Sequence, residues 1–394
     1  MIQRVGSTAV LSLLSAVTLV VLGGVELSAL GDLVSRLIPI FVFVIAISVV
    51  VNISSQVGLF EEVVSALEKI APKNQLLRPV ALWTLLVILA VVVTVFLSLD
   101  TTAVMITALA IPLARRNKIP VIGVAFAVVW IANIASLPLP VSNLTNLLAV
   151  GTNAFTGTAD YLLHAWKPAL MAIIIVIAAA AIVTLFFARI STEIDEVAAS
   201  GTSTSAQYRQ LLMICAPVVA VLMPVLASPI PYWLSTSIAA LIIAGACLPR
   251  HKSLLSMDLV PWNSLLLVTA VSAAAALVHT IGGAGWLGGL NVGGGESFLD
   301  LVTIAGAGGV TANLMNNIPA FLFLEPMVGS PTSYIALLIG VNAGPIITPW
   351  ASLATLLWHD QLRRAGVRIK WSTFIILGCI LAPVAVLLSV AMLV

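Results

Sequence analysis

The sequence predicts an all-α polytopic membrane protein, arranged as inverted repeats with two re-entrant hairpins and two broken transmembrane helices. Three observations predict it. First, hydrophobic residues make up 61% of the 394 residues and charged residues 8%, with a mean hydropathy of +1.18. An ordinary soluble domain carries about 25% charged residues, so 17 basic and 15 acidic side chains cannot cover a soluble surface of this size. Second, apolar runs of the length that spans a bilayer, about 20 residues, recur along the chain. Third, some of these runs are interrupted by Pro, Ser, Thr and Asn at matching places in the two halves. This composition excludes a soluble enzyme and a disordered chain. The net charge of +2 leaves no electrostatic footprint for nucleic acid.

In chain order, the runs are Ser7–Leu27, Ile38–Val57, Val80–Leu99, Ile119–Val150, Ala169–Phe187, Leu211–Ala227, Trp233–Leu248, Trp262–Ile281, Leu301–Leu324, Tyr334–Trp358 and Thr373–Leu393. The first resembles a signal peptide in length but lacks a clear small-residue cleavage site, so it is read as a retained helix. Gly58–Asn74, with Glu61, Glu62, Glu68 and Lys69, reads as an amphipathic interfacial helix. Gly-rich Gly282–Glu296 is its expected counterpart.

Ile119–Val150 is too long for one span and carries Ser-Leu-Pro-Leu-Pro-Val-Ser-Asn at Ser136–Asn143; Tyr334–Trp358 carries Gly-Pro-Ile-Ile-Thr-Pro at Gly344–Pro349. Proline removes a helix hydrogen bond and clashes with the preceding turn. Non-helical backbone at membrane depth survives only inside protein or beside a water-filled cavity. Two other runs have polar tips, Asp100-Thr-Thr-Ala103 and Asn316-Asn-Ile-Pro-Ala320, and read as hairpins whose legs enter and leave on one side.

Lysine and arginine favour the cytoplasmic face, which tests the hairpins. With 79–115 and 299–325 as hairpins, nine spans remain, and 15 of the 17 basic residues share one side; only Arg36 and Lys167 face the other. Treating Val80–Leu99 as a full span worsens the split to 12 and 5. The favoured topology places the N-terminus inside and the C-terminus outside. Hairpin 1 opens inward and hairpin 2 outward.

The expected organisation is therefore an N-terminal repeat, 1–190 (hairpin 79–115, broken helix 119–150), a polar cytoplasmic linker, 191–208, and a C-terminal repeat, 209–394 (hairpin 299–325, broken helix 333–358). The tips Asp100-Thr-Thr-Ala-Val and Asn317-Ile-Pro-Ala-Phe lie 217 residues apart. The breaks Pro140-Val-Ser-Asn-Leu-Thr-Asn146 and Pro349-Trp-Ala-Ser-Leu-Ala-Thr355 lie 209 apart. Shared order with opposite polarity is the mark of an inverted repeat, with its site at the midplane between discontinuous segments.

Broken helices leave N–H and C=O groups facing that site, with partial positive charge at the half-helix N-termini. Ser142, Asn143, Thr145, Asn316, Asn317, Thr348, Ser352 and Thr355 add donors and acceptors without charge, which suits a small hydroxylated solute. The bland alternative for each is a cap or a helix-to-helix hydrogen bond. Asp100 is the one acid at a tip. Acids inside a membrane are costly and point to function, so Asp100, with Thr101 and Thr102, is the expected proton or cation site; capping of the second hairpin leg is its alternative. Asn133 and Asn313 read as packing bonds.

Cys215, Cys247 and Cys379 lie far apart in apolar runs and read as small buried residues. His164, His251, His279 and His359 have no metal spacing. No Walker A, Ser/His/Asp or His-Glu-x-x-His pattern occurs. No cofactor, metal or catalytic residue is expected.

The stretch from Gly344 to Trp358 resembles the signature of the bacterial arsenite/antimonite efflux permeases, within the wider ion-transporter superfamily. Ala135–Asn146 is similar to that family's first broken helix, Met315–Ala320 to its second hairpin tip, and Asp100 with Ala103 and Pro112 to its first. The departures are Leu99 where the family has Asn, Asn133 where it has Asp, Ile346 where it has Lys, and one missing first helix. The resemblance implies a multi-pass protein of the bacterial inner membrane that exports trivalent arsenic or antimony as a neutral hydroxide, driven by protons. It also implies a possible arsenical-pump ATPase as partner. Within the same superfamily, a sodium- or proton-coupled dicarboxylate or anion carrier, or a sodium/proton antiporter, is the alternative.

Overall fold

A computed structural model describes residues 27–190, 205–249, 251–262 and 296–394, with a few single positions between 265 and 272. The expected span Ser7–Leu27 except for its last residue, most of the expected span Trp262–Ile281, most of the linker, His279, and Gly282–Glu296 except for its last residue lie outside the described residues. Among the described residues every regular element is helical. Six helices are long and apolar enough to cross a membrane, and Val121–Ile134 and Tyr232–Cys247 are apolar but shorter. The protein is an all-α polytopic membrane protein.

Helix α1 (Leu27–Gln56) is followed by Gly58, whose φ of 88° is left-handed and suits glycine. Helix α2 (Leu59–Ile70) places Glu61 and Glu62 in its first turn and Lys69 in its last, which complements the helix dipole, and buries Leu59, Phe60 and Val64.

Helix α3 (Leu77–Leu97) ends at Ser98, where φ is 119°. The chain returns through a single turn (Leu99–Thr101), a π-helical turn (Thr102–Ile106) and α4 (Thr107–Arg116). Arg78 Nε donates to Asn117 Oδ1 at 3.0 Å, joining the bases of the two legs. Helix α5 (Val121–Ile134) and α6 (Leu144–Val150) are separated by the Pro-containing segment, in which Pro140–Ser142 form a 3-10 turn.

Helix α7 (Thr158–Ile190) starts well before the expected Ala169, because the helix runs straight through Lys167 and Pro168 with Lys167 at the surface. Helices α8 (Ser205–Leu226) and α9 (Tyr232–Cys247) follow, so the last residues of the expected linker are already helical.

The second half repeats the order. Helix α10 (Phe298–Met315) ends at Asn316, φ 89°, and α11 (Asn317–Leu324) returns against it. Helix α12 (Pro331–Ala343), a 3-10 turn at Gly344–Ile346 and α13 (Leu353–Arg364) form the second interrupted helix, and α14 (Trp371–Val390) closes the chain.

The core lies around α5 and α12, which are buried along most of their length. Helix α12 meets α10 through Gly340 and Gly344 on one side and Ala305 and Gly309 on the other, a small-xxx-small contact on both helices. Trp358 Nε1, fully buried on α13, donates to Ala125 O of α5 at 2.9 Å and ties the halves together. Helix α1 packs chiefly on α9 and, less closely, on α8 and α6.

Candidate transport cavity

A cavity of about 500 Å³ lies between α1, the first hairpin turn and the loop at Met257–Pro261. Its polar lining is Ser48 and Asn52 from α1, Ser98, Asp100 and Thr101 from the turn, and Asp258 from the loop. Asn52 Nδ2 donates to Leu259 O at 2.8 Å and fixes the loop to α1. No lysine, arginine or histidine is among the described residues that line it.

Ser98 shapes the turn. Its left-handed φ ends α3, and its Oγ accepts from Thr101 N at 3.3 Å, capping the return. Thr94 and Thr102 hydroxyls lie 2.8 Å apart and lock the two legs below the tip. The carboxylate of Asp100 makes no hydrogen bond or ion pair with a described residue. Asp100 therefore does not cap the return, and Ser98 does.

The two left-handed tips, Ser98 and Asn316, lie 218 residues apart. This moves the tip register by one from the sequence alignment, so Asp100 corresponds to Ile318 and not to Asn317. The extended residues Asn143 (φ −148°) and Ser352 (φ −140°) open α6 and α13 and keep the offset of 209.

The polar residues of the first break turn away from the cavity. The lining takes Val141, Leu144 and Leu147 from this segment. Ser142 Oγ donates to Val95 O of hairpin 1 at 2.7 Å. Asn143 Nδ2 and Thr145 Oγ1 donate to Asn342 Oδ1 at 2.9 and 2.8 Å, and Asn342 Nδ2 donates to Asn146 Oδ1 at 2.8 Å. All four are buried. Asn342, on α12, is thus the hub that joins the two interrupted helices, and the sequence reading missed it. The signal was present, since Asn342 lies 209 residues after Asn133. Asn133 itself donates to Val129 O of its own helix at 2.9 Å.

Hairpin 2 forms a separate polar cluster. Asn317 N donates to Ala351 O at 2.9 Å, and Asn316 Nδ2 to Trp350 O at 3.0 Å. Asn313 Nδ2 donates to Gly344 O and its Oδ1 accepts from Thr348 N, both at 2.9 Å. Asn313 therefore holds the tip against the second break. Ser352 and Thr355 are fully buried and their hydroxyls make no hydrogen bond to a described residue. On α13 the cavity takes Leu353 and Leu357 instead.

Of the sequence-derived site residues, Asp100 and Thr101 line the cavity. Thr102, Ser142, Asn143 and Thr145 support it from behind, and Asn316, Asn317 and Thr348 belong to the hairpin 2 cluster. Of the cysteines, Cys215 and Cys247 are buried, but Cys379 is exposed on the outer side of α14, so it is not a core residue. No group of His, Cys, Asp and Glu suited to a metal ion occurs among the described residues.

Asn342→Ala is expected to remove three interhelical hydrogen bonds, each worth about 0.6 kcal/mol in a membrane bundle, for a loss of roughly 2 kcal/mol. Thermal unfolding in detergent measures it. An unchanged midpoint would show that the hub contributes nothing to stability.

The profile of the citrate transporter family (CitMHS) matches residues 1–333. Two uncharacterized transporters, from Mycobacterium tuberculosis (strain ATCC 25618 / H37Rv) and Mycobacterium bovis (strain ATCC BAA-935 / AF2122/97), are each 24% identical over 371 residues, covering 88% of this chain and 83% of the relative. A putative arsenical pump membrane protein of Bacillus subtilis (strain 168) is 33% identical over 88 residues, 20% of each chain. The match to the family profile spans most of the chain, and its helices surround a mainly apolar cavity that carries a few polar side chains: the protein is a membrane transporter and belongs to the citrate transporter family.

Proposed function

We propose that the protein is a proton-coupled secondary transporter that exports a small hydroxylated solute without net charge, trivalent arsenic or antimony hydroxide. One observation carries the reading: the cavity presents Asp100, a carboxylate with no partner among the described residues, together with Asp258 and neutral hydroxyl and amide groups, and no basic side chain is among its described lining. Such a site offers a neutral polyol both donors and acceptors, and it offers an anion no charge partner. The likeness to the putative arsenical pump membrane protein supports the same solute. The protein lies in the bacterial inner membrane with its N-terminus and basic loops cytoplasmic. The hairpins and broken helices rock against α1, α8 and α9 to expose the cavity alternately on the two faces.

The family match favours a second reading, a carboxylate solute. In this cavity its charge has to be neutralised by protons or by a cation carried with it, because burying an unpaired charge costs far more than burying a neutral group.

Flux in reconstituted vesicles separates the two. Arsenite movement that collapses with the pH gradient, competes with antimonite and ignores succinate is expected. Absence of arsenite flux, with succinate or sodium-dependent movement in its place, would discard the metalloid and retain the fold.

A further inference from the structure

Arg36 is one of two basic residues that the charge pattern places on the face away from the basic loops. It is half-buried and makes contacts to both repeats. Its Nη1 lies 2.8 Å from Glu325 Oε1, just beyond the end of the return leg of hairpin 2. Its Nη2 donates to Leu148 O, 2.6 Å away, in the last turn of α6. A cation there meets the negative end of the helix dipole. Gly151 follows that turn, and a Cβ added to it would sit 3.0 Å from Arg36 Cγ. The missing side chain makes room for the arginine stem.

The position along α1 gives this contact its meaning. Helix α1 lines the cavity from Phe43 to Asn52, and Asn52 holds the Met257–Pro261 loop. Arg36 lies about 24 Å from Asn52 along the helix, at 1.5 Å per residue. The loop end of the cavity therefore lies toward the basic residues that follow α9, and Arg36 lies beyond the opposite end. Helix α1 packs chiefly on α9 and only lightly on α6, and Glu325 and Leu148 belong to the hairpin and broken-helix core. A movement that separates that core from α1 at the level of Arg36 pulls on both contacts.

We propose that the Arg36–Glu325 pair, with Leu148 O as its third member, is a clasp that closes the cavity at the face remote from the basic loops and opens whenever the cavity is exposed there. It rests on the transporter reading only in requiring two-sided access, and its test uses no solute, so failure of the clasp is separable from failure of the proposed substrate.

The test places a reporter thiol in the cavity, Ser48→Cys, in protein carrying Cys379→Ser. Cys215 and Cys247 are buried and remain; protein without the reporter is the blank. A membrane-impermeant sulfonated maleimide is applied to vesicles of each orientation. The reporter is expected to react from the basic face only. Arg36→Gln and Glu325→Gln should each raise reaction from the opposite face by about fivefold or more, the range of an ordinary conformational coupling. The charge swap R36E/E325R should return it toward the parent. Reaction of the parent at equal rates from both faces would overturn the clasp. So would opposite-face rates unchanged in both glutamine variants with melting temperatures showing folded protein. If Arg36→Gln does not fold, Glu325→Gln and Glu325→Asp decide on the same readout.

Discussion

Asp100→Asn is expected to abolish pH-driven flux while leaving the protein folded. The carboxylate lines the cavity without a partner among the described residues, and asparagine matches its shape without its proton-carrying capacity. Because Asp100 joins no ion pair or hydrogen bond with a described residue, its replacement breaks no contact that holds hairpin 1 together. Ser98, Thr94 and Thr102 hold the turn instead. Flux driven by a pH gradient should fall to the vesicle background, with the melting temperature in detergent close to that of the parent. Solute counterflow without a pH gradient should persist, since the uncharged groups of the cavity remain. Asp100→Glu, which keeps the acid, should retain part of the coupling. Coupling in the asparagine variant equal to that of the parent would remove Asp100 from the mechanism and leave the acid without a role.

Gly340→Leu is expected to prevent folding. A Cβ at this position would meet the backbone carbonyl of Ala305, and a Cβ at Gly344 would lie 2.5 Å from Gly309 Cα. Neither neighbour is a side chain that can swing away. Helices α10 and α12 would have to separate, which would pull hairpin 2 off the second break and undo the bonds of Asn313, Asn316 and Asn317. Overpacking commonly costs about 1–3 kcal/mol, and a backbone obstruction lies at or beyond the upper end. Size-exclusion profiles of detergent-extracted protein should show aggregation or loss of the folded peak. Gly306→Ala is the control. It lies on α10, the helix that Gly340 packs against, with open space around its added carbon, and alanine is the better helix former by about 1 kcal/mol. A folded, stable Gly340→Leu protein would show that the α10–α12 contact is looser than the approach of Gly340 to Ala305 requires.

Much of the architecture is legible residue by residue. The length of an apolar run is a local property, so Val80–Leu99 falls within three residues of α3 at both ends, and Leu211–Ala227 ends one residue after α8, which starts earlier, at Ser205. Prolines at 138, 140, 345 and 349 cannot sit inside an unbroken helix without losing hydrogen bonds, and the helices are interrupted there. Lys167-Pro168 has the same local signature, yet α7 runs through it. Local chemistry allows a break at proline and does not compel one; the packing of the surrounding helices decides.

Residue type located the polar groups at the breaks but not the direction in which they point. Ser142, Asn143 and Thr145 have the chemistry of solute ligands, yet they are occupied by Val95 O and Asn342, and the apolar neighbours Val141 and Leu144 line the cavity. Asn342 and the Arg36–Glu325 pair join positions far apart in the chain, so no window of sequence contains both partners. Composition, run length and proline placement are set by the chain alone, because hydrophobic transfer and backbone hydrogen bonding act on each segment wherever it lies. Which face of an interrupted helix meets the cavity, and which charges meet across it, are set only when the two halves come together, because those contacts do not exist in either half by itself.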